Sequence, residues 1–446
     1  MQSGPAAERA AGLPSRDRLG LPAVDERPQR AERRAVQRVA GIGRRVWTIG
    51  DDLADAASRT VAYARGLGRD PDAAADGVLR RVGLTAAAAA DELLLATFRQ
   101  LRAPTGDEGL TSNLEEAAEL VAYLDRNGLL ATPQNFHHAP PPAVMEVRMR
   151  RVGGTRFGHA TYASPYSPDA DIPGATRFAR DTDNHVVHAW ILRQTVRAPW
   201  VVCLHGAGMG DPLADMFAFR AAHLHSCGFN VAIPVLPHHG PRGAGRFEVA
   251  FPSDDLAVNL HAAAQAIADV RALLSYITMC EEPATLFGIS LGAYVAATVA
   301  ALEPTLTGVI VGVPVVDISD LMRTHAPSRF LHHPLFDDFY AIAQQLEGVT
   351  SALALPAPAP SSPTRSIWAG RADRLVRPSQ VRRLIEHWGD PKVCWYAGGH
   401  MGFLAARSVQ RHIANVLVDT GVAEDRKGRL AAARLNPPSR TTIRPS

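Results

Sequence analysis

The chain has 446 residues, 46% of them hydrophobic and 20% charged, with a formal net charge of +3. This composition excludes a disordered chain and is long enough for two domains, or for one large domain with appendages. So small a charge excess gives no argument for nucleic-acid or membrane-surface partners.

Basic charge is almost all arginine, with Lys392 and Lys427 the only lysines, and alanine is abundant, which reads as compositional bias. The four cysteines, Cys203, Cys227, Cys280 and Cys394, are widely separated and form no C-x-x-C pair, so neither a metal nor a redox motif is supported. The N-terminus lacks the apolar core of a secretory signal, and no run of 18 or more apolar residues suggests a membrane span, so the expectation is a cytoplasmic protein.

Residues 1–35, rich in Arg, Pro, Ala and Glu without periodicity, are expected to be a disordered tail, as are residues 421–446. From 36 to 135 the pattern is helical. "DELLLATFRQLRA" and "SNLEEAAELVAYLDRNGLL" space apolar residues three and four apart, with Ser112 or Asn113 placed to cap the second. No chemical constellation stands out there. The region is expected to pack on the following domain or to mediate a homodimer. The prolines of "HHAPPPAV" (137–144) mark a linker, since three in a row cannot continue a helix.

Beyond the linker, apolar runs and helical patterns alternate. "VMEVRMRRV", "HVVHAWILRQ" and "WVVCLHG" read as strands. The helix "FAFRAAHLHSCG", the strand "NVAIPVLP" and the long helix from 255 to 277 follow. Strand "ATLFGIS" leads to helix "LGAYVAATVAAL". After "LTGVIVGVPVVD" come strand "TRSIWAG", helix "PSQVRRLIEHWG", strand "KVCWYAG" and helix "SVQRHIANVLVD". Such alternation predicts a doubly wound, mostly parallel α/β sheet, whose ligands sit at the carboxyl ends of the strands.

One strand end carries "GISLG", a G-x-S-x-G turn at 288–292 between an apolar strand and a helix. The glycines leave room where the two backbones nearly collide, so Ser290 is the candidate nucleophile. A serine hydroxyl needs a base, and the base an orienting acid. Two later strand ends supply them in order, Asp373 in "GRADRLV" and His400 in "GGHMG", with Asp317 a competing acid. The oxyanion of an acyl-transfer intermediate also needs donors. The N–H groups of Leu291 and of Ala207, in the "HGAG" loop from His205 to Gly208, are the candidates. Gly206, Gly208 and Gly210 follow neither the G-x-G-x-x-G nor the P-loop pattern, so no nucleotide site is expected.

Together the H-G loop at 205–208, G-x-S-x-G at 288–292, "GRADRLV" at 370–376 and "GGH" at 398–400 resemble the α/β-hydrolase family over residues 145–420. The resemblance implies an α/β-hydrolase fold: a mostly parallel eight-stranded sheet with its first strands antiparallel and helices on both faces. It implies Ser290, Asp373 and His400 as catalytic residues, Gly206 and Ala207 as the oxyanion loop, and no cofactor. A small-molecule ester is the implied substrate. A serine peptidase, an acyltransferase and a non-catalytic binding protein retaining the fold are the alternatives. His205, His238 and His239 fall near the implied site as substrate-positioning candidates. No third ligand accompanies the adjacent pair, so no metal is expected. Arg242 is a candidate to meet an acidic group. The segment 317–363 is longer than a simple connection and is expected to form a lid, with Phe330, Leu331, Leu335, Phe336 and Phe339 facing a substrate pocket.

Overall fold

Buried residues along the central strands alternate between two cores, and this alternation organises the molecule. In the computed structural model, Val202, Leu204, Leu286 and Val309 pack into one apolar cluster. Their neighbours Val201, Cys203, Phe287 and Ile310 pack into a second. A strand's side chains point to opposite faces by turns, so a continuous apolar run has both faces covered.

The residues described are 52–67, 78–101, 107–152, 154–243, 251–326, 330–358 and 364–420. The tails expected at 1–35 and 421–446 lie outside them, as does 36–51 of the helical region. The strands are β1 (Glu146–Val152), β2 (Thr155–Ala163), β3 (Val186–Leu192), β4 (Trp200–Leu204), β5 (Asn230–Pro234), β6 (Ala284–Ile289), β7 (Gly308–Gly312), β8 (Thr364–Gly370) and β9 (Lys392–Tyr396). They form one sheet in the order β1-β2-β3-β5-β4-β6-β7-β8-β9. The pairs β1–β2, β2–β3 and β3–β5 are antiparallel, and the pairs from β5–β4 to β8–β9 are parallel.

The helices are α1 (52–67), α2 (Val78–Leu101), α3 (Asp107–Arg126), α4 (Ala175–Phe178), α5 (Pro212–Ala218), α6 (Ala221–Ser226), α7 (Leu256–Met279), α8 (Leu291–Leu302), α9 (Ile318–Thr324), α10 (Phe336–Thr350), α11 (Pro378–Trp388) and α12 (Arg407–Asp419). Residues of α7, α8 and α11 cover one face of the sheet. Those of α5, α6 and α12 cover the other. This is the α/β-hydrolase fold, and the described residues from Leu53 onward form one compact unit.

Three local differences from the sequence expectation have physical causes. Among the described residues the sheet has nine strands, not eight. The added one, β2, buries Phe157, Ala160 and Tyr162 and is joined to β1 through Gly154 at φ +82°. Polar and small residues break its apolar alternation. The helix expected over 217–228 is two helices, with Arg220 left-handed at φ +50° between them. The first starts early because the Asp211 carboxylate caps the N–H groups of Leu213 and Ala214 and Pro212 opens the turn. Helix α3 begins at Asp107 rather than at Ser112 or Asn113, with Asp107 and Glu108 in its first turn. Thr111 is accommodated by donating its hydroxyl to the Asp107 carbonyl at 2.9 Å.

Leu110, Leu114, Leu120 and Leu124 of α3 are buried against Leu256 and Leu260 of α7 and Phe339, Ala343 and Leu346 of α10. Part of the N-terminal region is thereby packed on the sheet domain. Among the described residues, no helix is long and apolar enough to cross a membrane.

Candidate active site

The β6–α8 turn holds Ser290 at φ +57° and ψ −116°, backbone geometry that a side chain rarely adopts. Hydrogen bonds pin it. Ser290 N–H donates to the Gly312 carbonyl at 2.9 Å, and the Ser290 carbonyl accepts from Ala293 N–H at 3.0 Å. The flanking glycines are required sterically. A Cβ at 288 would lie 2.3 Å from the Gly292 carbonyl oxygen, and one at 292 only 1.9 Å from that of Leu204. The strand, the turn and the neighbouring strand end thus meet with no room for a methyl group.

The β9 loop brings His400 to this turn, with Nε2 3.1 Å from Ser290 Oγ. On the other side of the ring, His400 Nδ1 is 2.8 Å from Asp373 Oδ2 in the β8 loop. Asp373 Oδ1 accepts the Val376 N–H at 2.8 Å, so one carboxylate oxygen fixes its own loop while the other faces the imidazole. His400 and Asp373 are buried, whereas Ser290 retains partial exposure. The arrangement is a hydrogen-bonded chain from a reachable hydroxyl through an imidazole to a buried carboxylate.

Electrostatics follow from that packing. Burial on its own lowers an imidazole pKa. The charge and hydrogen bond of Asp373, with the charge of Asp91, outweigh it and raise His400 above the ordinary 6.5. Asp317 takes no part in the chain. Its Oδ1 caps α9 through Asp320 N–H, and its Oδ2 pairs with Arg383 at 2.9 Å.

Gly206 faces the serine, and a Cβ built on it would lie 3.4 Å from that of Ser290. Ala207 follows directly. Leu291 is the first residue of α8, where an N–H has no carbonyl one turn earlier in its helix. The loop from 206 to 210 is anchored at its far end by Asp215. This buried carboxylate accepts Gly210 N–H at 3.1 Å and the Trp190 indole N–H at 3.0 Å. Burial raises Asp215 to about 7.

The other expected residues each make contacts within the protein. His205 accepts Leu236 N–H on Nε2 at 3.0 Å, so its Nδ1–H donates to the Gly206 carbonyl at 2.9 Å. This is a fixed neutral tautomer, with burial lowering its pKa to about 4. His238 Nδ1 lies 3.1 Å from Asp181 Oδ2 and beside Asn184. His239 donates Nδ1–H to the Pro237 carbonyl at 2.8 Å, and burial lowers its pKa to about 3. Arg242 meets a protein carboxylate rather than a ligand's, pairing with buried Asp269 at 2.9 Å. Phe330 and Phe336 pack edge-on against each other and against Tyr340. They join the cluster that α3, α7 and α10 share.

Asp91, on α2, was not among the expected site residues. Its carboxylate accepts His400 N–H, with Oδ2 at 2.7 Å, and Arg374 N–H, also on Oδ2, at 2.9 Å. A signal existed in the sequence. Leu84, Ala88, Asp91 and Leu95 recur at helical spacing on one face, all buried, so the carboxylate sits within an apolar stripe.

Solved structures similar in fold include acetyl xylan esterase 1 from Thermoanaerobacterium sp. JW/SL YS485, at 15% identity over 66% of this chain and 93% of that one, with a TM-score of 0.47. Another is acetyl xylan esterase from Paenibacillus sp. R4, at 13% identity over 68% and 94% of the two chains, with a TM-score of 0.43. No family model matches the chain. In sequence it is 38% identical over 350 residues to the uncharacterized proteins MT2702 and Rv2627c from two strains of Mycobacterium tuberculosis, spanning 77% of this chain and 84% of each relative. The chain belongs to the family of these mycobacterial proteins.

Proposed function

We propose that the protein is a serine hydrolase that cleaves a carboxylic ester through an acyl-enzyme on Ser290. The observation that carries this reading is the Ser290–His400–Asp373 chain, with contacts of 3.1 and 2.8 Å, built on a positive-φ turn.

His400 Nε2 takes the Ser290 proton as Oγ attacks the ester carbonyl carbon. Asp373 accepts from Nδ1–H, so the lone pair is presented at Nε2, and its charge stabilises the imidazolium that forms. Negative charge builds on the carbonyl oxygen. The N–H groups of Ala207 and Leu291 are the donors for it, and the α8 N-terminus adds its partial positive charge. The tetrahedral intermediate collapses as imidazolium Nε2–H passes its proton to the leaving alkoxide, which departs as the alcohol. Water then gives a proton to His400 and attacks the acyl-enzyme. The second tetrahedral intermediate collapses as His400 Nε2–H returns the proton to Ser290 Oγ, and the acid is released.

Turnover of p-nitrophenyl acetate by wild type and by Ser290→Ala tests the reading, together with mass spectrometry after exposure to a fluorophosphonate probe. The expected results are a single adduct on Ser290 and a loss of at least about a thousandfold in kcat/KM in the variant. Undiminished turnover in Ser290→Ala, or an adduct elsewhere, overturns it.

A further inference from the structure

Helix α2 precedes every strand of the sheet in sequence, yet it reaches the two loops that carry His400 and Asp373. These loops are already zipped together. Arg371 N–H donates to the Tyr396 carbonyl at 2.9 Å, and Ala372 N–H to the Gly398 carbonyl at 3.0 Å. The Tyr396 hydroxyl donates to the Gly399 carbonyl at 2.6 Å. Asp91 closes the arrangement from the outer side, accepting His400 N–H from one loop and Arg374 N–H from the other.

The approach is close enough to constrain the sequence. A Cβ at 399 would lie 2.6 Å from Asp91 Oδ2, so the glycine before His400 makes way for this carboxylate. The side chain is only 3% exposed. Helix α2 makes a second link beside it, Glu92 Oε1 to Arg374 Nε at 2.9 Å.

We infer that Asp91 is a positioning residue of the proposed active site, tying the acid loop to the base loop and setting the electrostatic environment of His400 from a helix that precedes the sheet in sequence. The inference rests on the serine-hydrolase reading. Without the carboxylate both backbone donors would lose this partner, and for His400, which is buried, an unpaired N–H is costly. A small displacement of the imidazole would lengthen the contact to Ser290 Oγ. The charged and titratable groups facing the site are Asp373 and Arg374 from the β8 loop, His400 from the β9 loop, Tyr396 from β9, and Glu92 from α2 itself. Asp373 and Asp91 both favour the protonated imidazole. Burial, reinforced by the charge of Asp373, pushes Asp91 up to about 6, so it is mostly ionised at neutral pH and above.

The test compares full-length wild type, Asp91→Asn and Glu92→Gln. It reads kcat and KM for p-nitrophenyl acetate against pH, the rate of fluorophosphonate labelling, thermal unfolding, and the NMR titration of His400, assigned by its loss in His400→Gln. Asp91→Asn keeps the size of the side chain and removes its charge. The expected result is a fall in kcat of about ten- to a hundredfold with KM little changed. The His400 titration should move to lower pH by roughly half a unit or more. Glu92→Gln removes the neighbouring ion pair and should leave that titration in place. An unchanged His400 titration and kcat in Asp91→Asn overturns the inference, as does an equal effect from Glu92→Gln, which would make the contact a matter of helix packing. If wild type forms no adduct on Ser290, the serine-hydrolase reading fails. The His400 titration, which needs no turnover, still decides whether Asp91 acts on the imidazole.

Discussion

At Ser290, backbone strain and side-chain chemistry coincide. A non-glycine residue held at φ +57° costs of order 1–3 kcal/mol and persists only where its surroundings over-determine it. Here they do, through the backbone hydrogen bonds to Gly312 and Ala293. The geometry lifts the hydroxyl off the strand and toward His400. The imidazole must be neutral to accept the serine proton, and Asp373 and Asp91 raise its pKa above 6.5. For the proposed reaction, activity is therefore expected above that pKa and is expected to fall as pH drops through it. The expected kcat/KM profile on p-nitrophenyl acetate has an acidic limb with an apparent pKa above 6.5. A profile with its limb well below that value would show that a different base, or an isolated imidazole, controls the reaction.

Among the elements, the N-terminal helices and the 317–363 segment matter most, because they meet. Helix α3 lays a leucine face on α7 and α10, so the segment expected to form a lid is partly held by the N-terminal region. Leu120 has no solvent exposure at the centre of that contact. Leu120→Ala removes buried methyl groups and leaves a cavity, at a cost of about 2–5 kcal/mol. The expected outcome is a lower midpoint in thermal unfolding with labelling of Ser290 retained below the transition. A midpoint equal to that of wild type would mean that α3 contributes little to holding α7 and α10. Helix α2 works differently. Its face carries Ala88 and Leu95 for packing and Asp91 for hydrogen bonding, so one helical stripe serves stability and the site together.

For the whole molecule, the sheet sets a gradient of burial. Strands β4, β5, β6 and β7 are buried along their full length, while β1 at the sheet edge is exposed at nearly every position. Amide exchange followed by mass spectrometry should find the slowest exchange in β4, β6 and β7 and the fastest strand exchange in β1. Rapid exchange in β6 would show that the strand leading to Ser290 opens independently of the core.

Alternating apolar runs and helical patterns were enough to read the mostly parallel sheet, because a strand covered on both faces must be apolar throughout. The order of Ser290, Asp373 and His400 at strand ends was legible for a similar reason: each follows an apolar run, and the glycines around them mark tight turns. Strand β2 was not, since Arg156, Gly158 and His159 interrupt its pattern and its burial depends on β1 and β3. Tertiary structure alone decided that Asp317 caps a helix while Asp373 faces an imidazole. Both are aspartates at strand ends, and only the neighbouring chain distinguishes them. It alone also brought Asp91 against His400, 309 positions away in sequence. Local spacing reports which face of a helix is apolar. What that face will touch depends on how distant segments close into one core.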